Sequence, residues 1–196
     1  PHYQVQELLS DHGYTRIYAG RCETPDAPVI FKCLNLSTLP DWSIIQHLEY
    51  EAELLQRFEH PRIPRLLERK ELVHDKARYL CLIQQRLPGE NLQTVVKQRL
   101  HLNWPETLHI LGQTLQILKA LQGFHPQIMH LDIKPSNLMY ASSPEEEYGT
   151  LSLIDFGAAR IQGQEAEAAG GTPGFSPPEQ LQGRPVPASD LYALGA

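Results

Sequence analysis

Ile128-Met129-His130-Leu131-Asp132-Ile133-Lys134-Pro135-Ser136-Asn137-Leu138-Met139 sets one carboxylate, one ammonium and one amide between apolar pairs. Pro135 lacks an N–H and has a fixed φ, so no regular helix runs through it. Lys134, the residue before it, is biased towards extended backbone. The polar groups are thereby held in a kinked loop between two apolar anchors. A carboxylate at 132 can take a proton from a hydroxyl, an ammonium at 134 can neutralise a phosphate, and an amide at 137 can hold a metal ion. That set suits phosphoryl transfer, which asks for positioning and charge neutralisation more than for covalent chemistry. Alone, the stretch also reads as a polar turn after a helix, so the flanking chain has to decide.

Asp155-Phe156-Gly157 follows eighteen residues after Asn137, behind a strand-like apolar run of Leu151, Leu153 and Ile154. Further on come Pro177-Pro178-Glu179 and Asp190-Leu191-Tyr192-Ala193-Leu194-Gly195. In this order the segments resemble the catalytic loop H-R-D-x-K-P-x-N, the D-F-G, the A-P-E and the next helix of eukaryotic-like serine/threonine protein kinases of bacterial type. Leu131 stands where that family usually has arginine. The resemblance covers nearly the whole chain. It implies an α+β, two-lobed kinase-like fold: a small β-rich nucleotide-binding lobe with one main helix over 1–87, and a mostly helical, incomplete catalytic lobe over 88–196. It also implies ATP and Mg²⁺ as cofactors and a protein as substrate.

In the first lobe, residues 3–9 and 14–20 read as two strands around Asp11-His12-Gly13. The place matches the family's glycine-rich loop, with Ser10, His12 and Thr15 where the three glycines belong and Ile17 at the valine. Amides close on phosphate best where no Cβ intrudes, so a looser hold on ATP is expected. Val29-Ile30-Phe31-Lys32 is a β-branched and aromatic strand ending in lysine, resembling V-A-I-K, whose lysine grips the α- and β-phosphates. From Asp41, an expected N-cap, Ile44, Leu48, Glu51, Leu55 and Phe58 recur at spacings of 4, 3, 4 and 3. That is one helical face. Glu51 falls inside the apolar stripe, where an unpaired carboxylate is costly to bury. Periodicity therefore demands a cation for it, and Lys32 is the candidate. Arg78 to Gln84 reads as a strand and Leu87-Pro88-Gly89-Glu90 as the hinge. By resemblance, the backbone of Gln85 and Leu87 bonds adenine, Gln84 lies at the back of the pocket, and Ile17, Ile30 and Met139 complete the nucleotide set. Ile30 replaces the usual alanine and narrows the slot.

In the second lobe, Pro105 suits the first turn of a helix. Leu108, Leu111, Leu115, Leu118, Leu121 and Phe124 read as its buried face, a scaffold for the loop at 130–137. The resemblance makes His130 a packing residue beneath Phe156 and Asp132 the catalytic base. It gives Lys134 to the γ-phosphate and makes Asn137 and Asp155 the Mg²⁺ ligands, oxygen donors such as that ion prefers. Glu145, Glu146 and Glu147 read as a solvated acidic turn. In the segment 155–179, Gly170-Gly171-Thr172-Pro173-Gly174-Phe175 resembles a peptide-docking end in which Thr172 bonds Asp132 and Lys134. Between Gly157 and Gly171 there is no serine, threonine or tyrosine. A phosphate switch needs both an acceptor hydroxyl and a cationic cluster; here Leu131 replaces the arginine as well. The chain is thus expected not to be turned on by phosphorylation of that segment. Glu165 and Glu167 read as solvating residues.

The 196 residues carry a net charge of −6, with 41% hydrophobic and 20% charged side chains. This is ordinary for a soluble protein and argues against nucleic acid as partner. Cys22, Cys33 and Cys81 are odd in number and scattered, which points to reduced thiols and a cytoplasmic setting. No apolar run reaches the roughly 18 residues of a membrane span, so no membrane contact is expected within this segment. With Pro1 first and Ala196 inside an expected helix, the chain reads as a fragment. Two other readings remain: a pseudokinase scaffold with weak nucleotide binding, favoured by the glycine-poor hairpin and Ile30, and a small-molecule kinase, whose kin lack a peptide-docking segment like 170–179.

Overall fold

A computed structural model of the chain describes residues 2–74, 76–99, 102–142, 147–163 and 171–196. Glu145, Glu146, Glu165, Glu167 and Gly170 lie outside the described residues. The chain divides into two compact units, Pro1–Arg86 and Leu87–Ala196.

The first unit is an antiparallel sheet in the order β1-β2-β3-β5-β4 with one helix. Its strands are β1 (Tyr3–Asp11), β2 (Thr15–Glu23), β3 (Asp26–Asn35), β4 (Leu66–His74) and β5 (Ala77–Gln85), and α1 is Ser43–Arg57. In β3 the period of two sends Val29, Phe31 and Cys33 into one buried cluster with Cys81 and Ile83. Leu34 goes to the other face, packed with Leu48 and Ala52 of α1 and with Leu80 and Leu82. Lys32 shares the parity of Leu34 and so points to the helix side. Helix α1 starts one residue later than its expected cap. Trp42 holds the N-cap position without a side-chain bond, while Asp41 accepts from the Ser43 N–H at 3.0 Å.

The cysteines correct the sequence reading. Cys33 and Cys81 face each other across the β3–β5 ladder and are joined in a disulfide, with Cα atoms 4.1 Å apart. Only Cys22 is a free thiol, and it is buried. The 48 residues separating the pair along the chain concealed a contact that strand register creates.

The second unit contains α2 (Leu92–Arg99), α3 (Trp104–Gly123), α4 (Pro178–Leu181) and α5 (Ser189–Gly195). Two small sheets accompany them: β6 (Glu90–Asn91), β8 (Leu138–Ala141) and β9 (Thr150–Leu153) form one, β7 (Ile128–Met129) and β10 (Arg160–Ile161) the other. Asn103 and Glu106 cap α3 reciprocally, with Pro105 in its first turn. The buried face of α3 is Ile110, Gln113, Thr114, Ile117, Leu118 and Leu121, so of the leucine stripe read from the sequence Leu118 and Leu121 belong to it. Leu108 and Leu115 are 49% and 46% exposed. The stripe misled because two of the inward residues are polar and satisfied there. The Gln113 amide donates to the Gly149 carbonyl and accepts the Leu151 N–H, and Thr114 Oγ1 donates to the Ile110 carbonyl. Gln113 thus ties α3 to β9, which leads directly into Asp155. Among the described residues no helix is long and apolar enough to cross a membrane.

Candidate active site

One cluster of the expected site residues forms in each unit. In the first, Lys32 Nζ donates to Glu51 Oε2 at 2.7 Å. Gln84 Nε2 donates to the other oxygen, Oε1, at 3.1 Å. Glu51 is 1% exposed, and a carboxylate so deeply buried persists only with its oxygens partnered. Lys32 comes from a strand hydrogen-bonded on both sides, so the ammonium sits on a rigid element. Ile17 lies across from Lys32 on β2, and Ile30 lies across from Ala19 and from Gln84. The Gln85 N–H donates to the Arg65 carbonyl at 2.9 Å.

Gln84 has a consequence for stability. Gln84→Leu keeps the volume but removes the donor to a buried charged oxygen, so unfolding in urea is expected to show a loss of about 1–3 kcal/mol. An unchanged midpoint would mean that Lys32 alone satisfies Glu51.

The turn at the tip of β1 and β2 is stitched to itself. Ser10 Oγ and His12 Nε2 are 2.6 Å apart, Asp11 Oδ1 accepts the Gly13 N–H at 2.9 Å, and Arg16 Nε donates to Asp11 Oδ2 at 3.0 Å. The Gly13 N–H and then Arg16 hold the exposed Asp11 carboxyl below its ordinary value. Gly13 itself takes φ +76°, which explains a glycine off the family register: the turn needs it there.

In the second unit the loop after β7 alternates. Leu131 and Ile133 are 3% and 1% exposed, while Asp132 and Lys134 project between them from half-buried positions. Lys134 is extended, with φ −162° and ψ 161°, and Pro135–Asn137 form a single 3₁₀ turn. Asp132 is surrounded by donors. Its Oδ2 accepts from Asn137 Nδ2 at 2.9 Å and lies 2.8 Å from Lys134 Nζ. Its Oδ1 accepts from Thr172 Oγ1 at 2.7 Å, and Lys134 Nζ donates to the same Thr172 oxygen at 2.8 Å. Asn137 Nδ2 also bonds the Asp132 carbonyl at 2.9 Å, so the amide nitrogen does the holding. Asp155 is exposed with φ +66°. It follows Ile154, whose N–H donates to the Asn137 carbonyl at 3.0 Å. Leu87 is buried in this unit, and Met139 is half-buried on β8, opposite Ser152 and Asn91.

His130 is fully buried and packs edge-on against Phe156, ring centres 4.7 Å apart. Its Nδ1 accepts the Asp132 N–H at 3.3 Å, and Nε2 lies 3.2 Å from the Ile154 carbonyl. A neutral ring protonated on Nε2 satisfies both, so the imidazole braces the loop. Asp190 of α5, fully buried, accepts the N–H groups of His130 and Leu131 at 2.8 and 2.7 Å. Burial pushes its carboxyl up, against the opposing pull of His130 and of those two N–H groups. Glu179 accepts from Ser189 Oγ at 3.1 Å.

A family model described as the protein kinase domain matches residues 3–196. The chain belongs to the protein kinase domain family. This kinase domain is 37% identical to serine/threonine-protein kinase B of Synechocystis over 214 residues, covering 98% of the chain and 35% of that protein. It is 30% identical to calcium/calmodulin-dependent protein kinase type 1B of Rattus norvegicus over 195 residues, covering 98% and 54%. The probable serine/threonine-protein kinase PknB of Corynebacterium glutamicum is 27% identical over 201 residues, covering 98% and 30%. The chain thus spans about half the length, or less, of these relatives.

The kinase domain's donor set fits Mg²⁺. Asn137 and Asp155 offer oxygens, and no group of three or more His, Cys, Asp or Glu among the described residues forms a metal cage. An ion that keeps waters and phosphate oxygens in its shell needs only one or two protein ligands. The sequence reading has Asp190 bracing the loop backbone, as it does; the second contact on Glu51, from Gln84, and the hold of Gln180 on the Leu131 carbonyl escaped it. A glutamine in an apolar run carries no partner label.

Proposed function

We propose that this kinase domain transfers the γ-phosphoryl group of ATP to a serine or threonine hydroxyl of a protein. The observation that carries the reading is the triangle of Asp132, Lys134 and Thr172, each 2.7–2.8 Å from the next. In this mechanism Asp132 orients the incoming hydroxyl and accepts its proton. Lys134 neutralises charge growing on the transferred group, and the pre-aligned carboxylate and ammonium need little rearrangement. Lys32, aimed by Glu51, grips the α- and β-phosphates. Ile17, Ile30 and Met139 flank the base, and the backbone of Gln85 and Leu87 bonds it. Asn137 and Asp155 hold Mg²⁺, which when bound offsets phosphate charge. The absence of any acceptor hydroxyl from 158 to 171, with Leu131 buried at the usual arginine position, supports an enzyme not switched by phosphorylation there. A many-fold rise in activity on phosphorylating Thr172 or Ser176 would count against that part.

Full-length protein given γ-labelled ATP, Mg²⁺ and a basic protein substrate is expected to yield phosphoserine or phosphothreonine, with Asp155→Ala inactive. Label on tyrosine or on a small molecule overturns the substrate class. The self-bonded hairpin tip favours a second reading, a nucleotide-binding scaffold. That reading gains if wild type makes no labelled product while ATP still raises its melting temperature.

A further inference from the structure

We infer that Gln180 is a positioning residue that holds the Leu131–Asp132 peptide plane and aligns it with the segment carrying Thr172; this rests on the kinase reading above. Gln180, on the short helix α4, is 1% exposed. Its Nε2 donates to the Leu131 carbonyl at 2.6 Å. Leu131 is left-handed, with φ +64°, a conformation a leucine adopts only when its surroundings hold it there. The surroundings are side chains: Asp190 takes its N–H at 2.7 Å, and Gln180 takes its carbonyl.

That carbonyl belongs to the same peptide unit as the Asp132 N–H, which donates to His130 Nδ1 at 3.3 Å. Because a peptide unit is planar, gripping its two ends fixes the plane from which the Asp132 side chain departs. The same amide reaches the other partner of Asp132. Gly171, at φ +144°, has no room for a Cβ, which would collide with Gln180 Nε2 and Ser176 Oγ and lie 3.2 Å from the Leu131 carbonyl. The next residue is Thr172, whose hydroxyl meets Asp132 Oδ1 at 2.7 Å, and Ser176 Oγ closes the turn on the Thr172 carbonyl at 3.2 Å. One buried amide therefore lies against both backbones that present Asp132 and Thr172 to each other.

The test uses full-length protein carrying Gln180→Met, which keeps the bulk without the donor, and Gln180→Glu, which sets a carboxylate oxygen against the Leu131 carbonyl. In Gln180→Met, kcat is expected to fall about 10- to 100-fold with KM for ATP within about twofold, the scale of loss for a catalytic group displaced by about an ångström. Gln180→Glu is expected to be worse at alkaline pH and to recover towards wild type as pH falls and the carboxyl regains a proton to donate. Activity is read as a ratio to wild type, because Asp132, Lys134, His130, Glu179 and Asp190 are present in both proteins. Hydrogen exchange in folded protein reads the same latch without catalysis: peptides covering 130–134 and 171–176 should lose protection in Gln180→Met. Unchanged exchange overturns the inference whether or not the protein phosphorylates anything. So does a loss of kcat that merely tracks the folded fraction, or a Gln180→Glu ratio that is flat with pH. Protection lost as expected in a protein that transfers no phosphate would instead overturn the kinase reading and leave the latch standing.

Discussion

Asp132→Asn is expected to lower kcat by roughly 10²- to 10⁴-fold, the range for removing a general base, while the protein stays folded and KM for ATP changes little. The neighbours explain why the fold survives. The new amide oxygen can still accept from Asn137 and Lys134, as Asp132 Oδ2 does now. The new NH₂ would face Thr172 Oγ1, now a donor to Oδ1, and a hydroxyl can turn to accept instead. Shape and the contacts on the side chain at 132 are kept, at the cost of the acceptor for the Thr172 hydroxyl proton, and the capacity to take a proton goes. Steady-state kinetics with matched thermal melts check this. Full activity in the variant would remove Asp132 from the chemistry and leave it a structural acceptor.

Asp190→Ala is expected to have the largest effect on stability. Two backbone N–H groups, of His130 and Leu131, lose their acceptor inside a fully buried site. At about 1–3 kcal/mol for each unsatisfied buried donor, the loss is on the order of 2–6 kcal/mol, a large share of a typical domain's stability. Asp190→Asn should cost less, since one acceptor remains. Its deficit should also depend on pH. Burial raises the folded carboxyl above its ordinary value of 3.8, so the fold prefers the protonated form. The stability this group adds is full below 3.8 and is lost as pH rises through the raised folded value. An amide does not titrate, so the gap between wild type and Asp190→Asn should be widest in acid and narrow with rising pH. Urea titrations at several pH values measure it, and a gap that widens with pH would mean that the two N–H groups outweigh burial.

How much of this was written in the sequence depended on whether a residue's partner lay within one repeating pattern. Helical spacing put Glu51 inward on α1, the cost of burying a carboxylate demanded a cation, and a strand ending in lysine offered Lys32. The kinked loop was legible because Pro135 acts on its immediate neighbours. What stayed hidden depends on long-range register. Cys33 and Cys81 meet only because β3 and β5 pair in one alignment. On α3, Gln113 and Thr114 displaced leucines from the inner face because β9 and the helix's own carbonyls satisfy them, which no hydropathy count registers. Gln84 and Gln180 were silent for the same reason: an amide's meaning lies in the group it meets, 33 residues away for one and 49 for the other.

The buried leucine at position 131 has a bearing on signalling. With no hydroxyl from 158 to 171 and no guanidinium at that point of the loop, a phosphatase would have nothing there to remove. On the kinase reading proposed above, removal of phosphate from this stretch would not silence the enzyme, nor would an upstream kinase recruit it through the same door.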